Sequence, residues 1–219
     1  MDRMKKVGLF LIAFTMSTIV FSQEKAKQLL DEVSVKMGAY TNMQINFSTS
    51  LVNKDAGIKE GDELPINGKI TLQGEKYNLD YLGNTFIFGG SKLYVINHDE
   101  KEVTINDQDV SENDGFIYPS KLLTFYKEGY NYEMGEMINK KGRKIQFVEL
   151  TPIDSNSEIV KVSLGIDSKT KHIYQLIQFG ANGAKTTLTI NQFKSNQVIS
   201  DQLFQFDKSK YEKLDYLID

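Results

Sequence analysis

Two histidines and no cysteine set narrow limits on the chemistry this 219-residue chain could perform. His98 is followed by Asp99 and Glu100, three metal-ligand types in a row. Adjacent residues in a turn rarely converge on one ion, however, because a metal site needs a defined ligand number and geometry. Asp107, Asp109, Ser111 and Asn113 alternate in the manner of a calcium loop. The glycine such a loop requires is displaced to Gly115 and the closing bidentate glutamate is missing, so a plain acidic loop is expected. His172 stands just before an alternating segment, and nothing in the sequence places it near a serine nucleophile. There is no GxSxG elbow, no P-loop and no GxGxxG. Without cysteine, thiolate catalysis and disulfide stapling are both closed. The expectation is a binding protein without catalytic residues, bound metal or cofactor.

The N-terminus says where such a protein works. Arg3, Lys5 and Lys6 precede an uncharged apolar run from Val7 to Phe21, and Val20 and Ser22 are small enough for a signal-peptidase site. The run is shorter than the ~20 residues a spanning helix needs. Met1 to Ser22 is therefore read as a cleaved secretory signal, with the product starting at Gln23 and, in a two-membrane bacterium, residing in the periplasm. Cleavage removes three cations and one acid, leaving a product more acidic than the full chain's net charge of −3. That balance argues against a nucleic-acid surface. Residues 23–219 are long enough for one sizeable core and carry no low-complexity linker or repeat, so a single domain is expected.

The elements that must build the binding surface follow from two periodicities. Ala26, Leu29, Leu30, Val33 and Met37 recur at helical spacing, with Glu24, Lys25, Asp31, Glu32 and Lys36 mostly on the other side. After Tyr40 the period becomes two: Met43, Ile45, Phe47 and Leu51 alternate with polar residues, the pattern of an antiparallel sheet with one wet face. Further strands are marked by Ile66, Ile70 and Leu72; by Tyr77, Leu79 and Tyr81; by Phe86 to Phe88; by Leu93 to Ile96; and by Val103 with Ile105. A second series runs through Tyr130 to Met134, Ile145 with Phe147, Val160 to Ile166, Ile173 to Phe179, and Thr186 to Ile190. Gly89-Gly90, His98 to Lys101, Lys140 to Gly142 and above all Asn182-Gly183 supply the tight turns. About ten strands are expected, as a meander that is closed or partly open. Pro119-Ser120, then Leu122, Leu123, Phe125 and Tyr126, then Gly129, reads as a short helix that must dock its apolar side on the sheet.

With 13 Phe, 11 Tyr and no Trp, large apolar side chains are spread over the strands. Either they fill a sandwich core, or a sheet too curved to collapse on itself leaves an apolar hollow. In the second case Leu29, Val33 and Met37 of the first helix and Leu122, Leu123 and Tyr126 of the second are its cover. Met37, Met43, Met134 and Met137 would suit a pocket that adapts to flexible chains.

The order of segments resembles the periplasmic lipoprotein carriers, the LolA-like family. An amphipathic helix precedes "MQINFSTS"; "NGKITLQGEKYNLDY" and "GSKLYVINHDEKEVTI" resemble two consecutive hairpins. "YPSKLLTFY" resembles a lid helix, "VELTPID" a Leu-Thr-Pro strand, and the stretch from "SLGIDS" to "LFQFD" the C-terminal meander. The likeness runs from Glu24 to about Asp207. It implies an α+β, mainly β fold: an incomplete antiparallel half-barrel covered by an N-terminal helix and a short lid helix. It also implies a carrier that shields lipoprotein acyl chains between inner and outer membranes. The chains would lie against Leu29, Val33, Met37, Ile45, Phe47, Leu79, Tyr81, Phe86 and Phe88, under a lid of Leu122, Leu123, Phe125 and Tyr126. Implied partners are lipoproteins, an inner-membrane releasing complex and an outer-membrane acceptor, with the protein itself a monomer. The family's lid-holding arginine has no counterpart: the matching stretch is Gln73, Gly74, Glu75 and Lys76, which leaves two readings, Lys76 as a candidate stand-in latch in a lid held chiefly by the apolar faces of Leu122, Leu123, Phe125 and Tyr126, or a divergent member with another amphiphilic cargo. The alternative is a non-carrier lipid- or glycolipid-binding envelope module, a stress sensor or export component, on the same half-barrel.

Overall fold

A computed structural model describes residues 22–107 and 124–219. The first described element is helix α1, which occupies 22–38. Its stripe of Ala26, Leu29, Leu30, Val33 and Met37 is buried, while Val35 on the opposite side is 74% exposed. Among the described residues, no helix is long and apolar enough to cross a membrane.

All the described strands belong to one sheet. The first series is β1 (Met43–Asn53), β2 (Ile66–Gln73), β3 (Lys76–Tyr81), β4 (Asn84–Phe88), β5 (Leu93–Asn97) and β6 (Glu102–Asn106). The second is β7 (Tyr130–Lys140), β8 (Arg143–Pro152), β9 (Ile159–Asp167), β10 (Ile173–Gly180) and β11 (Ala184–Ser195). Each series is an antiparallel meander in which consecutive strands pair; β1 and β11 pair antiparallel and join the two. A two-residue strand, β12 (Leu217–Ile218), adds in parallel to β6. The order β12-β6-β5-β4-β3-β2-β1-β11-β10-β9-β8-β7 leaves β12 and β7 as separate edges, so the sheet is an open, incomplete barrel. The described strands number twelve rather than about ten, the difference including β12, whose two residues carry no periodic signal.

The inner face is set by register. Ile45 lies opposite Ile70, Ile70 opposite Leu79, and Leu79 opposite Phe86, so one apolar row crosses four strands. Val148, Leu164, Leu176 and Leu188 make the matching row across β8 to β11. Both rows pack with the buried stripe of α1 in one core. Phe47 needs a gap in β2 to lie flat: a Cβ on Gly68 would fall 2.3 Å from its ring.

The outer face is not uniformly wet, contrary to the expectation from alternation. Over β4 to β6 it carries Ile87, Ile96 and Val103, and the C-terminal segment returns to cover them with Tyr211 of helix α2 (Lys208–Glu212). Tyr94 stacks on Phe206 at 4.5 Å, Phe206 on Tyr211 at 5.3 Å, and Tyr211 meets Tyr216 edge-on. This wrap ends in β12, which occupies the backbone edge of β6 that would otherwise invite pairing with another chain.

Candidate functional site

An almost wholly apolar cavity of about 120 Å³ lies on the inner face of the five central strands, β3, β2, β1, β11 and β10. Ile45, Phe47, Ile70, Leu72 and Leu79 form one flank, and Ile173, Leu176, Leu188 and Ile190 the other. Polar atoms come from Thr49, Tyr81, Gln178 and Thr186. Thr49 and Tyr81 satisfy each other, their hydroxyls 2.7 Å apart. Hydroxyl groups paired in this way remain in an apolar wall without the cost of an unmet hydrogen bond.

Of the residues expected to meet acyl chains, Ile45, Phe47, Leu79 and Tyr81 line this cavity. Leu29, Val33, Met37, Phe88 and Tyr126 are buried in the same core, and Phe86 and Phe125 pack partly buried against it, but none of these seven is among the lining residues. Leu122 and Leu123 lie outside the described residues, as do Asp109, Ser111, Asn113, Gly115 and Pro119. Sequence reasoning missed the β10 and β11 flank. The signal lies in Ile173, Leu176, Leu188 and Ile190, large apolar side chains on strands that turn the same face inward as β1 to β3.

Several polar contacts tie α1 down, among them one from the Met134 amide to the Ser22 hydroxyl at 3.3 Å. The Tyr126 hydroxyl, in the 3-10 turn Phe125–Lys127, donates to the main-chain oxygen of Leu30 at 3.0 Å. Burial pushes that hydroxyl's pKa up, so it stays a donor. Glu32, two residues on from Leu30, pairs with Lys171 at 2.7 Å, and just past the helix the Tyr40 hydroxyl lies 2.8 Å from His172 Nε2. His172 is held below its ordinary pKa, first by burial and then by the Lys36 charge, with Asp167 opposing them. Asp167 is held low: burial works against its charge, but the amides of Thr170 and Lys169, the Thr170 hydroxyl and Arg143 outweigh it.

The other sequence candidates fall elsewhere. His98 Nε2 lies 2.8 Å from the Thr85 hydroxyl and Nδ1 3.0 Å from the Tyr216 hydroxyl, so its ring anchors the C-terminal wrap. Asp99 and Glu100 give their amides to Asn97 in a tight turn. No group of three or more histidine, aspartate or glutamate side chains converges on a metal position among the described residues. Lys76 is exposed at the start of β3, opposite Gln73.

An open antiparallel half-barrel with a helix over its apolar concave face is the class this fold and site define. The chain belongs to the family of the outer membrane lipoprotein carrier protein LolA, whose model matches residues 79–207. No curated protein matches it. Among solved structures it is similar to an uncharacterized conserved protein from Thermus thermophilus, at 11% identity and a TM-score of 0.58, covering 89% of this chain and 98% of that one. A DUF1329 family protein from Desulfovibrio piger shares the fold at 10% identity and a TM-score of 0.50, over 87% of this chain and 99% of the other. A LolA superfamily protein from Nitrosomonas europaea aligns at 11% identity and a TM-score of 0.41, over 83% and 97%.

Proposed function

We propose that this protein is a periplasmic carrier that receives the acyl chains of lipoproteins in the concave face of its half-barrel and ferries them from the inner to the outer membrane. The observation that carries this reading is the apolar cavity on the inner face of a sheet whose family is that of a lipoprotein carrier. A lipid leaves a bilayer only if something else shelters its chains, at about 0.8 kcal/mol per buried methylene. The cavity of about 120 Å³ is smaller than the ~300 Å³ at which small-ligand pockets begin, so chain entry requires α1 and the segment before β7 to move away from the sheet. The ion pair between Glu32 and Lys171 that helps to hold α1 is partly exposed, which suits a cover that opens at modest cost.

On this reading Met1 to Ser22 directs export and is removed, and the carrier works as a monomer between an inner-membrane releasing complex and an outer-membrane acceptor. Lys76 stands where the resemblance would place a lid-holding arginine, and it lacks the planar fork that can bond several lid carbonyls. The alternative, a lipid- or glycolipid-binding envelope module that does not transfer its ligand, draws on that departure. Extraction separates the two. A carrier incubated with vesicles containing a triacylated lipoprotein releases it into a soluble complex. A protein that binds free fatty acid but extracts nothing is a binding module.

A further inference from the structure

The concave face does not end at the apolar cavity. Gln178 and Thr186, cross-strand partners in β10 and β11, line that cavity and also line a second, half-open cleft of about 370 Å³ toward the β10–β11 turn. The cleft exists because the next residues on this face are small: Gly180 and Ala184 follow where Gln178 and Thr186 end. Asn182 holds the floor, its side-chain oxygen accepting from the Ala184 amide and occupying the position a Gly180 Cβ would need. Glu158 forms the outer wall and is pinned to the turn by the Ala181 amide, which donates to its main-chain oxygen at 2.8 Å.

The charge of this cleft has one sign. Glu158, exposed at its wall, is the one charged residue among the described lining residues. No lysine or arginine is among its described lining residues. The cations of the neighbouring strands serve the other face: Lys161 sits 4.4 Å over the Phe179 ring, and Lys185 lies opposite Phe179.

We propose that this cleft is the head-group compartment for the lipid whose chain occupies the apolar cavity, and that it selects an uncharged head rich in hydroxyl or amide donors over an anionic one. This rests on the lipid-binding reading above. Gln178 and Thr186 mark the boundary at which the chain ends, and Glu158 accepts from the donors of the head. A carboxylate or phosphate placed there would meet Glu158 with no cation among the described lining residues to offset the repulsion.

The test uses three lipids with the same oleoyl chain, 1-oleoylglycerol, N-oleoylethanolamine and oleate, each displacing N-phenyl-1-naphthylamine from the protein at pH 8. Both neutral lipids should displace at concentrations about fivefold or more below that for oleate, the equivalent of one exposed charge contact. Glu158→Lys should narrow or reverse that gap without weakening the naphthylamine itself. Equal affinity for all three, or a gap that Glu158→Lys leaves intact, overturns the head-group assignment while the lipid-binding reading stands. A preference for one neutral lipid over the other identifies the head as hydroxyl or amide and still supports the cleft. Failure of the protein to take up the naphthylamine or any of the lipids removes the lipid-binding reading, and this inference with it.

Discussion

Tyr126 reaches across from the turn before β7 and gives its hydroxyl proton to the main-chain oxygen of Leu30, in the middle of the helix that covers the sheet. The same hydroxyl lies 3.3 Å from the Asp31 carboxylate, so one side chain links the segment expected to act as a lid to the element it must move with. Tyr126→Phe removes both contacts and keeps the ring. It should cost about 1 kcal/mol of stability and speed the uptake of a fluorescent fatty acid in stopped flow. Unchanged uptake kinetics would mean that this contact does not govern opening.

Gly68 offers a more local lever. The Phe47 ring lies where a side chain on Gly68 would stand, and Phe47 lines the cavity. Gly68→Ala should drive the ring into the cavity, destabilise the protein by about 1–3 kcal/mol in urea, and lower fatty-acid affinity more than it lowers stability. A variant that binds normally would show that Phe47 has room to turn elsewhere.

His172 is expected to make the stability of the fold sensitive to acid. Its ring contacts Tyr40 and lies 4.2 Å from Phe193, with Lys36, Lys171 and Asp167 the charged groups around it. Its folded-state pKa is lowered from 6.5, so the unfolded chain takes up this proton first as pH falls. The associated stability is present above 6.5 and is lost as the pH drops through the lowered folded value. Urea midpoints measured between about pH 7.5 and 5 should fall for the wild type and fall less for His172→Gln. Parallel curves would assign the acid sensitivity to other groups.

Much of this architecture is legible in the chain because it is local. The alternation of Met43, Ile45 and Phe47, the Asn182-Gly183 turn and the helical stripe from Ala26 to Met37 each need only neighbouring residues to be read. The covered outer face was not legible. Ile87, Ile96 and Tyr94 point away from the concave side, and only the long-range return of Phe206, Tyr211 and Tyr216 explains why they are apolar. The candidate site divides in the same way. Ile45, Phe47, Leu79 and Tyr81 follow from strand parity near the N-terminus. Leu176, Leu188 and Ile190 join them only because β1 pairs with β11, across more than a hundred residues of chain.

Lys76 tests how the cover is held. It is exposed at the β2–β3 turn, and an ammonium cannot reproduce the several hydrogen bonds of a guanidinium. Lys76→Ala should change fatty-acid affinity by less than about 1 kcal/mol, as expected of an exposed charge. A loss of several kcal/mol, or ligand that no longer exchanges, would make Lys76 the latch and shift the explanation of closure away from the apolar contacts of Phe125 and Tyr126.

Whether the concave face shelters lipoprotein acyl chains is tested most directly by native mass spectrometry of the protein isolated from the periplasm of its own cells. The expected result is a polypeptide beginning at Gln23, without acyl modification, a fraction of which carries one acylated lipoprotein that dissociates when detergent is added. Recovery of the protein with Met1 to Ser22 attached in the membrane fraction, or of soluble protein that never carries a lipoprotein under conditions that preserve lipid binding, would contradict it.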